Sequence, residues 1–175
     1  IGRMDALVGE LLTLARVDSG MTERREELVD LAEVVADIVE DAQLEASAKD
    51  CTLRVSINQP LVIRGNHELL HRALENVLRN ALRHSPAHAS IDISGSCRDG
   101  RRQLAVADSG PGVAEDDLTR IFEPFFRSMP AVGSSGYGLG LAITRSVIGS
   151  HGGSVSALNH LPGGLLICID LPQAV

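Results

Sequence analysis

Tryptophan is missing from the 175 residues, tyrosine occurs once and phenylalanine three times, leaving an aromatic content of 2%. The core must therefore be built from Leu, Val, Ile and Ala, and nothing offers a platform for stacking on nucleic-acid bases. No block of basic residues is present, and the formal net charge is -7. That balance argues against nucleic acid or an anionic membrane surface as the main partner. It also works against any anionic ligand unless a metal and local arginines offset the field. Cysteines are few: Cys51, Cys97 and Cys168 are odd in number, far apart and set in apolar or strand-like runs. They read as buried reduced thiols of a cytosolic domain, not as a disulfide or metal site. No apolar run approaches the ~20 residues needed to cross a bilayer. The opening IGRMDALVGE lacks a signal-peptide layout, and its abrupt start within a helical pattern suggests a soluble piece of something longer. Internal repeats and low-complexity tracts are absent.

What is present is 44% hydrophobic residues, enough for one sizeable core and an extension. Residues 1–17 place Ile1, Met4, Leu7, Val8, Leu11, Leu12, Leu14 and Ala15 at amphipathic-helix spacing, and such a helix needs a partner. Asp18, Ser19 and Gly20 end it, and TERREE is a charged connector. Residues 28–31 read as a short strand. Asp30 then caps a helix over 31–49 that turns Val34, Val35, Ile38, Val39, Ala42 and Ala46 inward. Strand-like runs at 52–57 and 61–64 flank Asn58, Gln59 and Pro60 and predict a hairpin-like pair. Further strands are expected at 90–97 and 103–107, around the turn Arg98, Asp99, Gly100. Residues 113–135 form a long loop with at most short helices, a length that belongs to functional lids or to disorder. A helix over 139–150 and strands at 154–158 and 165–171 close the chain.

The stretch GNHELLHRALENVLRNALRHSP, residues 65–86, carries the densest information. Asn66 is a good cap, the run to His84 has no Gly or Pro, and Pro86 stands just past the end. Leu70, Leu74, Val77, Leu78 and Ala81 share one stripe, the core face. Asn76 and Asn80 lie four apart on another face, with Arg83 and His84 one turn on. A carboxamide oxygen is a hard neutral ligand suited to magnesium, its nitrogen donates to phosphate, and a guanidinium fork binds phosphate. Taken alone, the row is equally a solvated polar face.

Asp108, Gly110 and Gly112 spell DxGxG at a strand end. A carboxylate there can accept from an exocyclic amine such as adenine's, although Asp-Ser-Gly-Pro is also an ordinary turn. Gly133, Gly136, Gly138 and Gly140 precede a helix whose free amides suit phosphate oxygens, or form a flexible loop ending in a cap. No GKT or GKS is present, so this is not a Walker loop, and no strand leads into the glycines as a dinucleotide fingerprint requires. Phe122, Phe125 and Phe126 crowd beside Arg127, either as a docking patch or as a small loop core.

The order NxxxNA, DxGxG, FxPFFR, GxGLGL resembles the N, G1, F and G2 boxes of the sensor histidine kinases of two-component systems, and covers nearly the whole chain. RALENVLRNALRHS and GGLLICIDLP resemble in particular the membrane-bound envelope-stress sensors. The resemblance implies an α/β two-layer sandwich: a mixed β-sheet with helices on one face, ATP between them, and one N-terminal dimerisation-type helix. Residues 1–20 correspond to a remnant of the second dimerisation and phosphotransfer helix, 21–50 to a connector and the first helix of the ATP-binding domain, and 51–175 to its remainder. Asn80 is then the magnesium ligand, Asn76 and Arg83 lie at the phosphates, and Asp108 reads adenine. Gly110 and Gly112 shape the base pocket, and Gly138 and Gly140 flank the triphosphate. Arg127, Gly136, Leu139 and Leu141 complete the implied ATP-binding set, and Asn76 and Asn80 are its catalytic pair. His84 stands where many members carry Tyr, beside the adenine.

The implied activity is that of a protein histidine kinase, which moves the ATP γ-phosphoryl to a histidine and then to an aspartate of a response regulator. The implied cofactors are ATP and Mg2+, and the partners are a response regulator and the protein's own hairpin within a homodimer, with no nucleic acid. The implied setting is the cytoplasmic domain of a bacterial inner-membrane sensor. The acceptor histidine is expected on an upstream helix outside this sequence. His67-Glu68 mimics its spelling, but starts the Asn helix and lacks the following proline. His67, His71, His88, His151 and His160 read as surface or capping residues. Two rivals share the fold: an ATP-hydrolysing clamp of the gyrase or chaperone type, which would need Glu where Asn76 stands, and a non-catalytic nucleotide-binding sensor.

Overall fold

The computed structural model describes residues 2–19, 26–128 and 137–174. In chain order the elements are α1 (Gly2–Asp18), β1 (Glu27–Asp30), α2 (Leu31–Ala48), β2 (Thr52–Ile57), β3 (Val62–Gly65), α3 (His67–His84), β4 (Ser90–Arg98), β5 (Arg101–Ala107), α4 (Gly140–Ser150), β6 (Ser154–Asn159) and β7 (Leu165–Pro172). Two short 3-10 turns, Glu115–Asp117 and Arg120–Phe122, lie between β5 and α4. The helical reading of the first segment and all seven strand readings hold to within a few residues. Ile1, the connector at 20–25 and the glycine-containing stretch 129–136 lie outside the described residues.

Five strands form a mixed sheet in the order β2-β4-β5-β7-β6, with β2 and β4 parallel and every other pair antiparallel. Period-two patterning gives this sheet one apolar face. Ile91 and Ile93 of β4, Leu104 and Val106 of β5, and Leu165, Ile167, Ile169 and Leu171 of β7 are all buried there. Helices α2, α3 and α4 cover that face, completing two layers around one core. Of the three cysteines expected to be buried, Cys51 is, whereas Cys97 and Cys168 are only half-buried, and burial pushes the Cys168 thiol up.

One expectation fails. The runs on either side of Pro60 do not pair with each other: β3 joins β1 in a separate antiparallel ribbon, while β2 runs beside β4. The reason lies at Asp30, whose Oδ1 accepts from Ala32 N (3.0 Å) as the cap of α2 and also from Leu61 N (2.8 Å). That second bond draws the start of β3 toward β1 and away from β2. A turn-like spelling records a bend but not which strand lies across it.

Helix α3 is the central support. Its buried row comprises Leu70, Ala73, Leu74, Val77, Leu78, Ala81 and Leu82, and Asn66 Oδ1 caps its first turn by accepting from Leu69 N (3.0 Å). At the other end the Lys49 ammonium donates to the carbonyls of Leu82 and Ser85, opposing the negative end of the helix dipole. His151, expected to be a surface or capping residue, links two helices. Its Nδ1 donates to Val147 O (2.7 Å) in α4, while Nε2 accepts from Asn66 N (3.0 Å) at the head of α3.

Helix α1 finds the partner its apolar face requires. Val17, Leu7 and Leu14 pack with Ala73 of α3 and with Leu139, Ile143 and Val147 around α4. Arg72 donates to Thr13 Oγ1 and Ser146 to Asp18, closing the contact with polar pairs. Met4, Val8, Leu11 and Leu12 remain exposed on the other side. Among the described residues no helix is long and apolar enough to cross a membrane.

The layering makes a simple stability prediction. Leu70 is wholly buried on α3, whereas Leu44 on α2 is 83% exposed. Urea unfolding should show Leu70→Ala losing roughly 2–5 kcal/mol and Leu44→Ala staying within about 0.5 kcal/mol of the parent. Equal losses would contradict the assignment of the core face.

Candidate functional site

A cavity of about 270 Å3 opens between α3, the loop after β5, the segment around residues 121–128 and the start of α4. Most of the residues singled out in the sequence meet at this cavity. Asn76, Asn80, Arg83 and His84 line the cavity from α3, Asp108 and Gly112 from the loop after β5, Arg127 from the phenylalanine segment, and Gly138, Leu139, Gly140 and Leu141 from the lead into α4. Gly110 lies just behind the wall: a Cβ there would come within 2.8 Å of the His84 carbonyl, so this glycine lets the loop close onto the end of α3. Gly136 lies outside the described residues.

The ends of the cavity differ chemically. At one end Asp108 is only 4% exposed, and its Oδ1 accepts from Gly110 N (2.8 Å) and Leu165 N (3.1 Å). Those two amides fix the orientation of the carboxyl group and leave Oδ2 free to accept from a ligand. Val113, Ile121, Phe126 and Leu165 supply apolar walls. A slot with apolar walls and one fixed acceptor suits a flat heterocycle bearing an amino group.

At the other end the groups are donors. Asn76 Nδ2 donates to Gly140 O (3.2 Å), and Thr144 Oγ1 donates to Ala73 O (3.0 Å), so α3 and the first turn of α4 are stitched together. Leu139 provides α4 with no side-chain cap, which leaves the first-turn amides for a ligand. The Asn80 side chain makes no hydrogen bond among the described residues, and Arg83 is exposed at the rim. This end suits phosphates.

The phenylalanine cluster does not form a separate loop core, because its inner members join the main core. Phe122 is buried in the main core, Phe126 is half-buried beneath the Arg120 guanidinium (4.3 Å to the ring centre), and Phe125 is 58% exposed. Phe125 N donates to Gly138 O (2.9 Å), tying the segment to the α4 lead-in. Gly138 has φ +72°, and a Cβ would meet Phe126 O at 2.8 Å, so only glycine serves there.

Several lining residues escaped the sequence reading. Tyr137 is the sole tyrosine and sits between two motif glycines in a chain poor in aromatics, a signal that was available. Leu165 reads only as strand core. Glu10 comes from α1 and had no local signal, since nothing in its neighbourhood reports where α1 docks.

A two-layer α/β domain with an elongated cavity running along one helix, a buried carboxylate at one end and amide donors at the other, has the architecture of a nucleotide-binding ATPase fold. The chain belongs to the family described as histidine kinase-, DNA gyrase B- and HSP90-like ATPases, whose model matches residues 65–175. Sensor protein CutS of Streptomyces coelicolor is 36% identical over 173 residues, covering 97% of this chain and 41% of CutS. The signal transduction histidine-protein kinase BaeS of Escherichia coli is 30% identical over 174 residues, covering 98% and 37%. Among solved structures, the mycobacterial sensor histidine kinase MprB is 34% identical with a TM-score of 0.77, covering 85% of this chain and 98% of that one. Full-length ShkA in complex with AMPPNP is 30% identical with a TM-score of 0.85, covering 97% and 36%. The chain thus spans about two fifths of the length of the curated relatives it matches. Within the family it is the histidine kinase-type ATPase domain, not a gyrase-type clamp.

His84 offers a test of the site's electrostatics. Its pKa is lowered, chiefly because partial burial, which leaves the residue still exposed at the cavity edge, withdraws water from the charged imidazolium. Asp108 opposes the shift by raising it, while Arg83, Lys49 and Arg127 add to the lowering. The folded value lies below the unfolded one, so the folded domain binds fewer protons here. The stability contributed is complete above the unfolded value and is lost as pH falls through the folded one. An NMR titration of the free domain should show His84 titrating below its unfolded midpoint, and lower still in Asp108→Asn. A midpoint at or above the unfolded value would refute this account.

Proposed function

We propose that this chain is the ATP-binding catalytic part of a sensor histidine kinase. The observation that carries the proposal is a single cavity with Asp108 at one end and Asn76, Asn80 and Arg83 on one helix at the other. In this reading Asp108 accepts from the N6 amine of adenine, with Gly110 and Gly112 shaping the slot and His84 beside the base. Arg83 and Arg127 meet phosphate oxygens, joined by the amides from Gly138 through Leu141, with Gly136 upstream. The relative ShkA has been solved with AMPPNP, which supports a nucleotide in this cavity.

The donor set fits magnesium. Asn80 lines the cavity with its carboxamide uncommitted, and Asn76 has only its nitrogen engaged, on Gly140 O. Asn80 would hold the ion, which supplies charge neutralisation at the phosphate oxygens. Asn76 and the α4 amides position the triphosphate and keep water from its inner face. The terminal P–O bond to ADP then breaks as a nitrogen–phosphorus bond forms on an imidazole that gives up its proton. The phosphoryl group passes next to a response-regulator aspartate.

Residues 1–20 serve in this reading as the second helix of the dimerisation hairpin, 21–50 as a connector with the first helix of the ATP-binding domain, and 51–175 as its remainder. The exposed row Met4, Val8, Leu11 and Leu12 supports pairing with a hairpin partner in a homodimer. The pairing of β1 with β3 supports counting β1 and α2 with the catalytic domain. The setting is the cytoplasmic side of a membrane-bound sensor.

Calorimetry should show magnesium-dependent ATP binding and GTP binding weaker by roughly 10–100-fold, because guanine would face Asp108 with an acceptor oxygen. Asn80→Ala should weaken Mg-ATP binding by about tenfold or more. With radiolabelled ATP, this chain should not label itself but should label a supplied hairpin bearing the acceptor histidine, giving an acid-labile, alkali-stable product. Efficient self-labelling lost in His67→Gln would overturn the acceptor assignment. ATP binding without hairpin labelling would favour a non-catalytic sensor.

A further inference from the structure

Two polar residues at the β6–β7 connection, Asn159 at the end of β6 and His160 at the start of the turn, do not line the cavity yet hold both ends of the loop that does. His160 Nε2 donates to the backbone carbonyl of Asp108 (2.8 Å), and since a carbonyl only accepts, the proton sits on Nε2. The same turn approaches Asp108 so closely that a Cβ on Gly164 would fall 1.9 Å from that carbonyl. Five residues further along the loop, Asn159 grips Val113 on both sides. Its Oδ1 accepts from Val113 N (2.9 Å), and its Nδ2 donates to Val113 O (2.6 Å) and to Glu115 Oε1 (3.0 Å). Gly112 is part of the fit, with φ +73° and a Cβ position only 2.6 Å from Asn159 Oδ1. The turn is itself closed by His160 N donating to Gly164 O (3.2 Å).

We infer that Asn159 and His160 are positioning residues for base recognition, clasping the loop 108–113 so that Asp108 and Val113 face the base as a wall of fixed shape. The inference rests on reading the cavity as an adenine nucleotide site. Loops run over the surface with few partners of their own, and a base slot built on one loses discrimination when the loop can yield to the wrong base. Here the yielding is prevented by side chains from a neighbouring hairpin. The sheet does not depend on them: β5 and β7 are already joined by their own ladder from Arg101 to Ala107, and Asn159 is exposed. Removing the clasp should therefore loosen the slot and leave the phosphate end and the fold in place.

The test compares the 175-residue chain with its His160→Leu, His160→Gln and Asn159→Ala variants. Binding of Mg-ATP, Mg-GTP and magnesium tripolyphosphate, which lacks the base, is measured by calorimetry alongside thermal melts. The ATP-to-GTP preference should fall roughly tenfold in His160→Leu and in Asn159→Ala, with tripolyphosphate affinity unchanged. His160→Gln, which retains a side-chain N–H, should recover most of the preference. An unchanged preference in His160→Leu and Asn159→Ala, or equal loss of all three ligands, would overturn the clasp while leaving Asp108 as the base reader. A parent chain with no preference for ATP would instead overturn the base-reading role of Asp108, and the clasp with it.

Discussion

A carboxylate that is 4% exposed has to be solvated by the protein, and at Asp108 the protein does this with backbone amides from two different places in the chain. Gly110 N comes from two residues downstream, and Leu165 N from the first residue of β7. Leaving such a charge unsolvated costs several kcal/mol, so the geometry of β5, the DxGxG loop and β7 is fixed by the need to avoid that cost. Much of the site follows. The loop must turn back on itself to present Gly110 N, which brings it against the His84 carbonyl and requires a residue without Cβ at position 110.

Helix α3 resolves the second constraint, which is to support the core and serve the ligand with one element. Its buried residues occupy about half its circumference, and the polar row Asn76, Asn80, Arg83 borders them. Asn76 contributes on both accounts because its amide nitrogen is bonded to Gly140 O. Where α4 begins is therefore set by a residue that also faces the cavity. Lys49 and His151 hold the two ends of α3 from outside, one through carbonyls and the other through the Asn66 amide.

Local chemistry was the part of this molecule most legible in its sequence. Asp30 and Asn66 announce helix starts because a cap is a short-range hydrogen bond, and the stripe of α3 is visible because burial repeats with the helical period. The cavity wall was legible where it consisted of motifs whose glycines and amides have few other uses. Strand partnership was not: the bend at Pro60 looks the same whether the flanking strands meet or part, and the bond from Leu61 N to Asp30 that decides the matter spans half of the preceding segment. Glu10, Asn159 and His160 were missed for the same reason. Asn159 and His160 bind backbone groups distant in sequence and Glu10 reaches the cavity from a helix far upstream, and an exposed Asn or a turn His carries no mark of the groups it will bind.

The order of strands has a consequence for how the chain acquires its site. Hairpins β4–β5 and β6–β7 close over short turns, whereas Ala107 meets Leu166 only after a long intervening stretch has been brought round. Contacts of high sequence separation are the slow ones in folding. The bond between Asp108 and Leu165 lies at that late seam, as do both grips from Asn159 and His160. Neither hairpin alone contains the set of bonds that fixes the Asp108 end of the cavity. Ligand affinity at this cavity should therefore follow the pairing of β5 with β7, and a refolding chain should regain hairpin content before it regains that affinity.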